Sequence, residues 1–259
     1  MIYRQAIMRN PTEPIYNEDG THYENFGINY YYNPLGILEE QTGKYIVENT
    51  RMTGNVTFEP IKGWQTNLMV GRRTSMSHDR GFETTEYYGQ EIYNYTGTAS
   101  HSQGESRTDN LELTSKYNHT WDKHHLTATA VWEATTSNTR SMGISGQNIQ
   151  VESVGWWNVA NALTRNASNG YSDWSMLSAV GRAIYNYDNR YMFTGTFRAD
   201  GSSRFTNHKW GYFPSVAFAW TASNEKFMEN LRHAISNLKL RVSYGVIGNQ
   251  DISPYSTLA

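Results

Sequence analysis

Three groups of residues in this 259-residue sequence carry side chains that could do chemistry. His119, Asp122, His124 and His125 gather in "NHTWDKHH", and imidazoles beside a carboxylate are zinc ligands. The turn that carries them is short and polar, as solvated turns are, so no metal centre is assigned. Ser202 and Ser203 stand in "DGSS", but no base is positioned beside either hydroxyl, and the pattern is not a nucleophile elbow. Arg198 and Asp200 share a parity and read as a solvated ion pair. Glycoside hydrolysis needs two carboxylates across a cleft, and the carboxylates here are scattered. "GFETTE" and "GESRTDN" lack the oxygen spacing of a calcium loop. With no cysteine, thiolate catalysis, a disulfide scaffold and cysteine-based zinc sites are excluded. The chain is not read as an enzyme, and no cofactor is assigned. Recognition remains. Trp156 and Trp157 in "VESVGWWNVANAL", with Trp174 beyond them, join an apolar face to a polar N–H. They are candidates for stacking on a sugar ring, gripping a peptide side chain or meeting a partner. The same residues could instead pack their own loop.

The elements that would hold these groups are strands. Charged residues make up 18% of the chain, below the roughly 25% usual for soluble domains, and aromatics 14%. Asn, Thr, Ser and Gly supply the polarity. A net charge of −2 gives no basic field for nucleic acid. No run of 18 apolar residues occurs, and the N-terminus has no signal-like apolar stretch. Any export signal would lie upstream of residue 1. Period-two alternation recurs instead. Met52, Gly54, Val56 and Phe58 alternate with Arg51, Thr53, Asn55 and Thr57. Similar stretches start near residues 64, 110, 126, 177, 191, 212 and 238, giving about eight strands of around ten residues. Short turns are expected near 61–63, 122–124 and 188–190. Long polar loops are expected over 72–109 and 136–175, with a shorter one at 200–209. Phe227, Leu231 and Ile235 sit four apart in the 223–237 link, which predicts a short amphipathic helix there.

Two folds fit such alternation. A soluble sandwich buries the apolar face, whereas an outer-membrane barrel turns it to lipid. Ten-residue strands, alternating connection lengths and aromatics at strand ends favour the barrel. Tyr191, Phe193, Phe197, Phe218, Trp220, Leu240, Val242 and Tyr244 then face lipid. Thr194, Thr196, Arg198, Lys239 and Arg241 face the lumen. Pro214 lies inside a strand and should sit at a bulge or near the strand's start. Gly201 is expected to take a positive φ as "DGSS" opens an external turn, and Asp200 to bond backbone amides there.

The stretches "FRADGSSRF", "KWGYFPSVAFAW", "NEKFMEN" and "ISNLKLRVSYGVIGNQDISPY" carry a resemblance to the SusC/RagA family of TonB-linked outer-membrane transporters. "RNPTEPIYNEDGTHYE", "YYNPLGILEE", "TRMTGNVTFEPIKGWQTNL" and "HHLTATAVWEA" follow in the family's order, so the resemblance covers essentially the whole chain. It implies an all-β antiparallel transmembrane barrel of 22 strands, of which residues 1–259 would supply a partial barrel domain of about eight. Plug domain, TonB box and signal peptide would be missing from it. Residues 1–44 would be mostly extracellular, short turns periplasmic and long loops external. The implied role is import of large nutrients, oligosaccharides or peptides, across the bacterial outer membrane. The implied partners are a SusD-like surface lipoprotein, TonB through the missing N-terminal region, and outer-membrane lipid. Alone, such a segment is expected to aggregate or need detergent. A passive porin and a soluble carbohydrate-binding β-sandwich are the rival readings.

Overall fold

In the computed structural model, residues 2–28, 31–149, 151–231, 233–250 and 252–256 are described. Asp251 of the last motif and Arg232 of the 223–237 link fall outside them. Two helices, α1 (Ile2–Met8) and α2 (Pro34–Glu40), precede the strands. Asn33 caps α2, its side chain accepting from the Leu35 N–H, with Pro34 at the first helical position where no donor is needed. The strands are β1 (Gln41–Ile61), β2 (Trp64–Glu83), β3 (Thr98–Trp121), β4 (His124–Gln147), β5 (Thr164–Tyr187), β6 (Tyr191–Ser202), β7 (Trp210–Thr221) and β8 (Lys239–Gly245). They form one eight-stranded sheet whose spatial order is the chain order. α3 (Tyr88–Tyr93) lies between β2 and β3.

The turns β1–β2, β3–β4 and β5–β6 fall at 62–63, 122–123 and 188–190. Each is set by a residue in the left-handed region: Gly63 at φ 86°, Asp122 at 47°, and Asp188 and Asn189 at 52° and 53°. A side chain at Gly63 would also place its Cβ 2.4 Å from the Asn118 carbonyl oxygen.

Strand length departs from the sequence expectation. β3, β4 and β5 run 24 residues each, and β1 and β2 run 21 and 20. The expected loops 72–109 and 136–175 are therefore mostly strand, with connections only at 84–97 and 148–163. Before β1, α1 and α2 are short helices, and most of the other described residues up to 40 are turn or irregular. The physical reason is chemical sameness on both faces. β3 offers Thr98, Ser100, Ser102, Gly104 and Ser106 on one parity and Ala99, His101, Gln103, Glu105 and Arg107 on the other. A two-sided polar strand shows no apolar alternation to read.

Local expectations are corrected at the 223–237 link, at Gly201 and at Asp200. The 223–237 link forms 3-10 turns at Ala222–Asn224 and Lys226–Leu231, not an amphipathic helix. Among its described residues Ser223 and Met228 are buried, while Phe227, Leu231 and Ile235 stay exposed. Gly201 is extended within β6, opposite Trp210, so the turn begins after Ser202. Asp200 bonds Arg198 rather than backbone amides. Pro214 pairs with Phe197 in an unbroken β6–β7 register, without a bulge. On its other side the β7–β8 pairing ends at Ser215–Gly245, and the Pro214 carbonyl accepts from the Val246 N–H. The missing donor falls where that ladder has finished.

The contacts divide the chain into two compact units. The first comprises Met1–Asn49, Ser75–Ser106 and Thr139–Tyr171. It has a small apolar core of Phe82, Ala99, Ile149, Val159 and Ala162. The second comprises Thr50–Thr74, Arg107–Asn138 and Ser172–Ala259. Here the usual burial rule is inverted. Phe193, Phe197 and Val216 are 52%, 52% and 62% exposed, while Thr194, Thr196 and Ser215 beside them are half-buried. Burying apolar area contributes about 25 cal/mol per Å². A sheet face of Phe, Val, Leu and Tyr left open therefore marks a surface with a non-aqueous neighbour.

Candidate functional site

The outer ends of β5, β6 and β7 bring three separated motifs to one place. Cross-strand partners put Ser178 beside Asp200 and Arg198 beside Phe213. The Arg198 guanidinium donates to Asp200 Oδ2 at 2.7 Å and to Ser178 Oγ at 3.2 Å. Ser202 is buried, and its Oγ accepts from the Arg204 N–H at 3.3 Å. Arg204 then reaches past β8, donating to the carbonyls of Gln250 at 3.2 Å and Ile252 at 3.0 Å. Gln250 Nε2 contacts Met176 Sδ at 2.9 Å. Met176, Arg198, Asp200, Ser202, Phe213 and Gln250 are among the residues that line a cavity of about 240 Å³. Asp200 Oδ1 and Gln250 Oε1 are buried without a hydrogen-bond partner among the described residues. "FRADGSSRF", "KWGYF" and "GVIGNQ" thus form one clasp that folds the chain after β8 back over the strand ends. Among the described residues no hydrogen bond joins a serine hydroxyl of the clasp to a base: Ser202 Oγ accepts from the Arg204 N–H and Asp200 Oδ2 from Arg198.

The three tryptophans separate. Trp156 packs against the core of the first unit. Trp157 is 59% exposed, with the Arg80 guanidinium 4.6 Å above its ring and the His101 ring edge-on at 5.5 Å. Trp174 is half-buried beneath the Arg204 guanidinium at 4.5 Å, which makes it part of the clasp. Trp157 alone of the three keeps an open ring for contact. Neither arginine stack was legible in sequence, because Arg80 and Arg204 lie 77 and 30 positions from their rings.

At the opposite strand ends, aromatic and imidazole rings form a band. Tyr117, His119, Trp121 and His124 follow one another at centroid spacings of 6.0, 5.4 and 5.3 Å, and His124 continues to Tyr187 at 5.0 Å. His124 Nδ1 lies 2.6 Å from the Tyr185 hydroxyl, and His125 bonds Thr120. Beside the band, Glu225 accepts from Tyr191 at 2.7 Å, Trp220 at 3.1 Å and Arg190 at 3.2 Å. These bonds, led by the Tyr191 hydroxyl, hold the Glu225 carboxyl below the usual carboxylate range. A depressed carboxyl contributes stability that is present above its unfolded value of about 4.3 and lost as pH falls through the lower folded value. Glu225→Gln is accordingly expected to flatten the acid limb of the unfolding midpoint against pH. The check is thermal melts of the detergent-solubilised protein from pH 7 down to pH 3.

His22, Glu39 and Glu40 bring ligating atoms within 4.8 Å of one another, a grouping the sequence did not suggest. The His22 ring is bracketed, Nε2 at 3.1 Å from Glu39 and Nδ1 at 3.5 Å from Glu40. Each ring nitrogen thus already has its own carboxylate.

No protein-family model matches the chain. TonB-dependent receptor P26 of Formosa agariphila is 30% identical over 261 residues, 98% of this chain and 26% of that protein. TonB-dependent receptor P3 of the same organism is 28% identical over 263 residues. TonB-dependent receptor SusC of Bacteroides thetaiotaomicron is 44% identical over 79 residues, 30% of this chain. The chain spans about a quarter of the length of the P26 and P3 receptors. Among solved structures, the RagAB peptide transporter superposes with a TM-score of 0.78 at 20% identity, over 92% of this chain and 27% of that one. The RagAB peptide importer in its open-open state gives 0.76 at 21% identity. The likeness shows the fold: an eight-stranded antiparallel sheet, in chain order, of the kind the RagAB transporter contains.

Proposed function

We propose that this chain, a stretch of a SusC/RagA-type TonB-dependent receptor, supplies barrel wall and external surface to an importer of large nutrients in the bacterial outer membrane. The observation that carries the reading is the open apolar face that runs across β6, β7 and β8, backed on β6 and β7 by a polar face that is partly covered. Phe193, Phe197, Phe218, Leu240, Val242 and Tyr244 meet lipid. Tyr191 and Trp220 belong to the same face, with their polar atoms turned to Glu225 at its short-turn border, as interfacial aromatics do. Thr194, Thr196, Arg198, Lys239 and Arg241 line the lumen side.

A crossing needs about 9–11 residues, and 24 residues of strand span roughly 80 Å at about 3.4 Å each. More than half of β3, β4 and β5 therefore stands outside the hydrocarbon layer. That extension, with Trp157 on it, is the surface we assign to ligand or to a SusD-like lipoprotein partner. The solute is a glycan or peptide; RagAB, the structural neighbour, is a peptide importer. TonB acts through a segment beyond these 259 residues.

Uptake of a labelled oligosaccharide or peptide pool by cells carrying the full-length receptor tests this. Uptake should stop when TonB is deleted. Uptake that persists without TonB contradicts the importer reading and favours a passive porin.

A further inference from the structure

On the polar face of β1–β3, away from the clasp, lies a recess of about 390 Å³. Of the residues that line it, Arg51 and Thr53 of β1, Met69, Gly71 and Arg73 of β2 and Thr108 and Asn110 of β3 share the polar parity, and Met52 and Arg72 border it from the other. Arg51 and Thr53 alternate with Met52 and Gly54 of the apolar face, so they point to the side that carries Thr194 and Thr196 in the barrel reading. Asn67 confirms the shared face lower down, bonding both Asn55 and Thr57 across the β1–β2 pair. Residue 71, which lines it, is glycine. A Cβ there would sit 3.9 Å from Asn110 Cβ, in the space now empty.

The charges around it are unbalanced. Among the described residues, neither Arg51 nor Arg73 has an ion pair or hydrogen bond. On the other face of the same strands Arg72 and Arg107 share the Asp109 carboxylate at 2.6 and 2.9 Å. Two like charges on neighbouring strands at one recess cost stability, and among the described residues no carboxylate pairs with either. Among the described residues Asn110 Oδ1 is buried there without a hydrogen-bond partner as well. Two unpaired guanidiniums match the geometry of a carboxylate, which each can take bidentately. An unpaired amide oxygen beside them matches a hydroxyl or N–H next to that carboxylate.

We propose that Arg51, Arg73 and Asn110 form a recognition site for a carboxylate carried by the imported solute. The proposal rests on the importer reading and narrows it to acidic solutes. The carboxylate belongs either to a uronate of a glycan or to an acidic peptide side chain, and the test separates the two. Binding is measured on the purified full-length receptor with a galacturonate oligomer and its methyl ester, and with an aspartate-rich peptide and its asparagine counterpart. The wild type should prefer the acid of one pair. In R51Q/R73Q that acid-to-neutral affinity ratio should fall about tenfold or more, and the salt dependence of acid binding should flatten. The pair that shows the effect identifies the source. If neither acid is preferred by the wild type, or the ratio survives in the variant, the proposal is wrong. Should the double variant fail to assemble, Arg73→Gln alone carries the same comparison. TonB-independent uptake by the wild type would sink the importer reading while leaving this binding result legible.

Discussion

Val216→Arg should prevent barrel assembly, whereas Ala217→Arg, one residue along, should leave it largely intact. Val216 lies between Gly195 of β6 and Tyr244 of β8, near the middle of the apolar face. Ala217 lies between Thr194 and Ser243, on the polar face. An arginine turned to lipid near the bilayer midplane costs about 2–4 kcal/mol, against a total stability of about 5–15 kcal/mol for a typical domain. The same side chain turned to a wet lumen keeps its hydration. The two variants change the same charge at adjacent positions, so a general effect of arginine on expression would strike both. The check is the amount of heat-modifiable, folded receptor in outer-membrane fractions. A water-bathed β7 would reverse the expectation, because arginine at a solvated position such as Val216, 62% exposed, would be harmless.

Gly248→Ala should open the clasp. The Phe213 ring lies across Gly248 so closely that an added Cβ would fall 2.3 and 2.6 Å from two ring carbons. A phenyl ring held between strand neighbours has little freedom to retreat, and overpacking of this kind costs about 1–3 kcal/mol. The relief is for the segment after β8 to lift, which removes Gln250 from its cavity and breaks the carbonyl contacts of Arg204. Unfolding of the detergent-solubilised receptor should shift to lower denaturant, and protease should cut near residues 246–252 sooner. A double-variant cycle tests the cause. Once Phe213→Ala has removed the ring, adding Gly248→Ala should cost almost nothing further. Equal cost in both backgrounds would mean that the ring is not what forbids a side chain there.

The sequence was legible wherever two faces of a strand meet different media. In β6, Phe193 and Phe197 alternate with Thr194 and Thr196 because lipid and water demand different side chains, and the register of β5–β8 follows that alternation. Beyond the apolar belt both faces are polar, the contrast vanishes, and Thr98–Ser106 read as loop although they are strand. The 223–237 link failed for a related reason. A four-residue apolar spacing predicts a helix only if that stripe is buried, and here Phe227 stays exposed. The clasp was visible only as family words. Its parts lie far apart in the chain, Met176 and Gln250 by 74 residues, and only the sheet order brings them together. Unpaired charge is likewise a property of neighbours in space, so Arg51 and Arg73 gave no signal in sequence. Trp156 and Trp157 looked alike as adjacent aromatics, yet one packs inward and the other lies open.

The claim on which the rest depends is that the apolar face meets lipid. These 259 residues contain no cysteine, so a single one introduced at 193, 194, 196, 197 or 216 reports one position of this wall at a time. Each variant of the full-length receptor is labelled with a fluorophore and reconstituted with lipids brominated on their acyl chains. The account predicts strong quenching at 193, 197 and 216, and little at 194 and 196, where a water-soluble quencher should act instead. Acyl-chain quenching at 194 and 196 with none at 193 and 197 would contradict it.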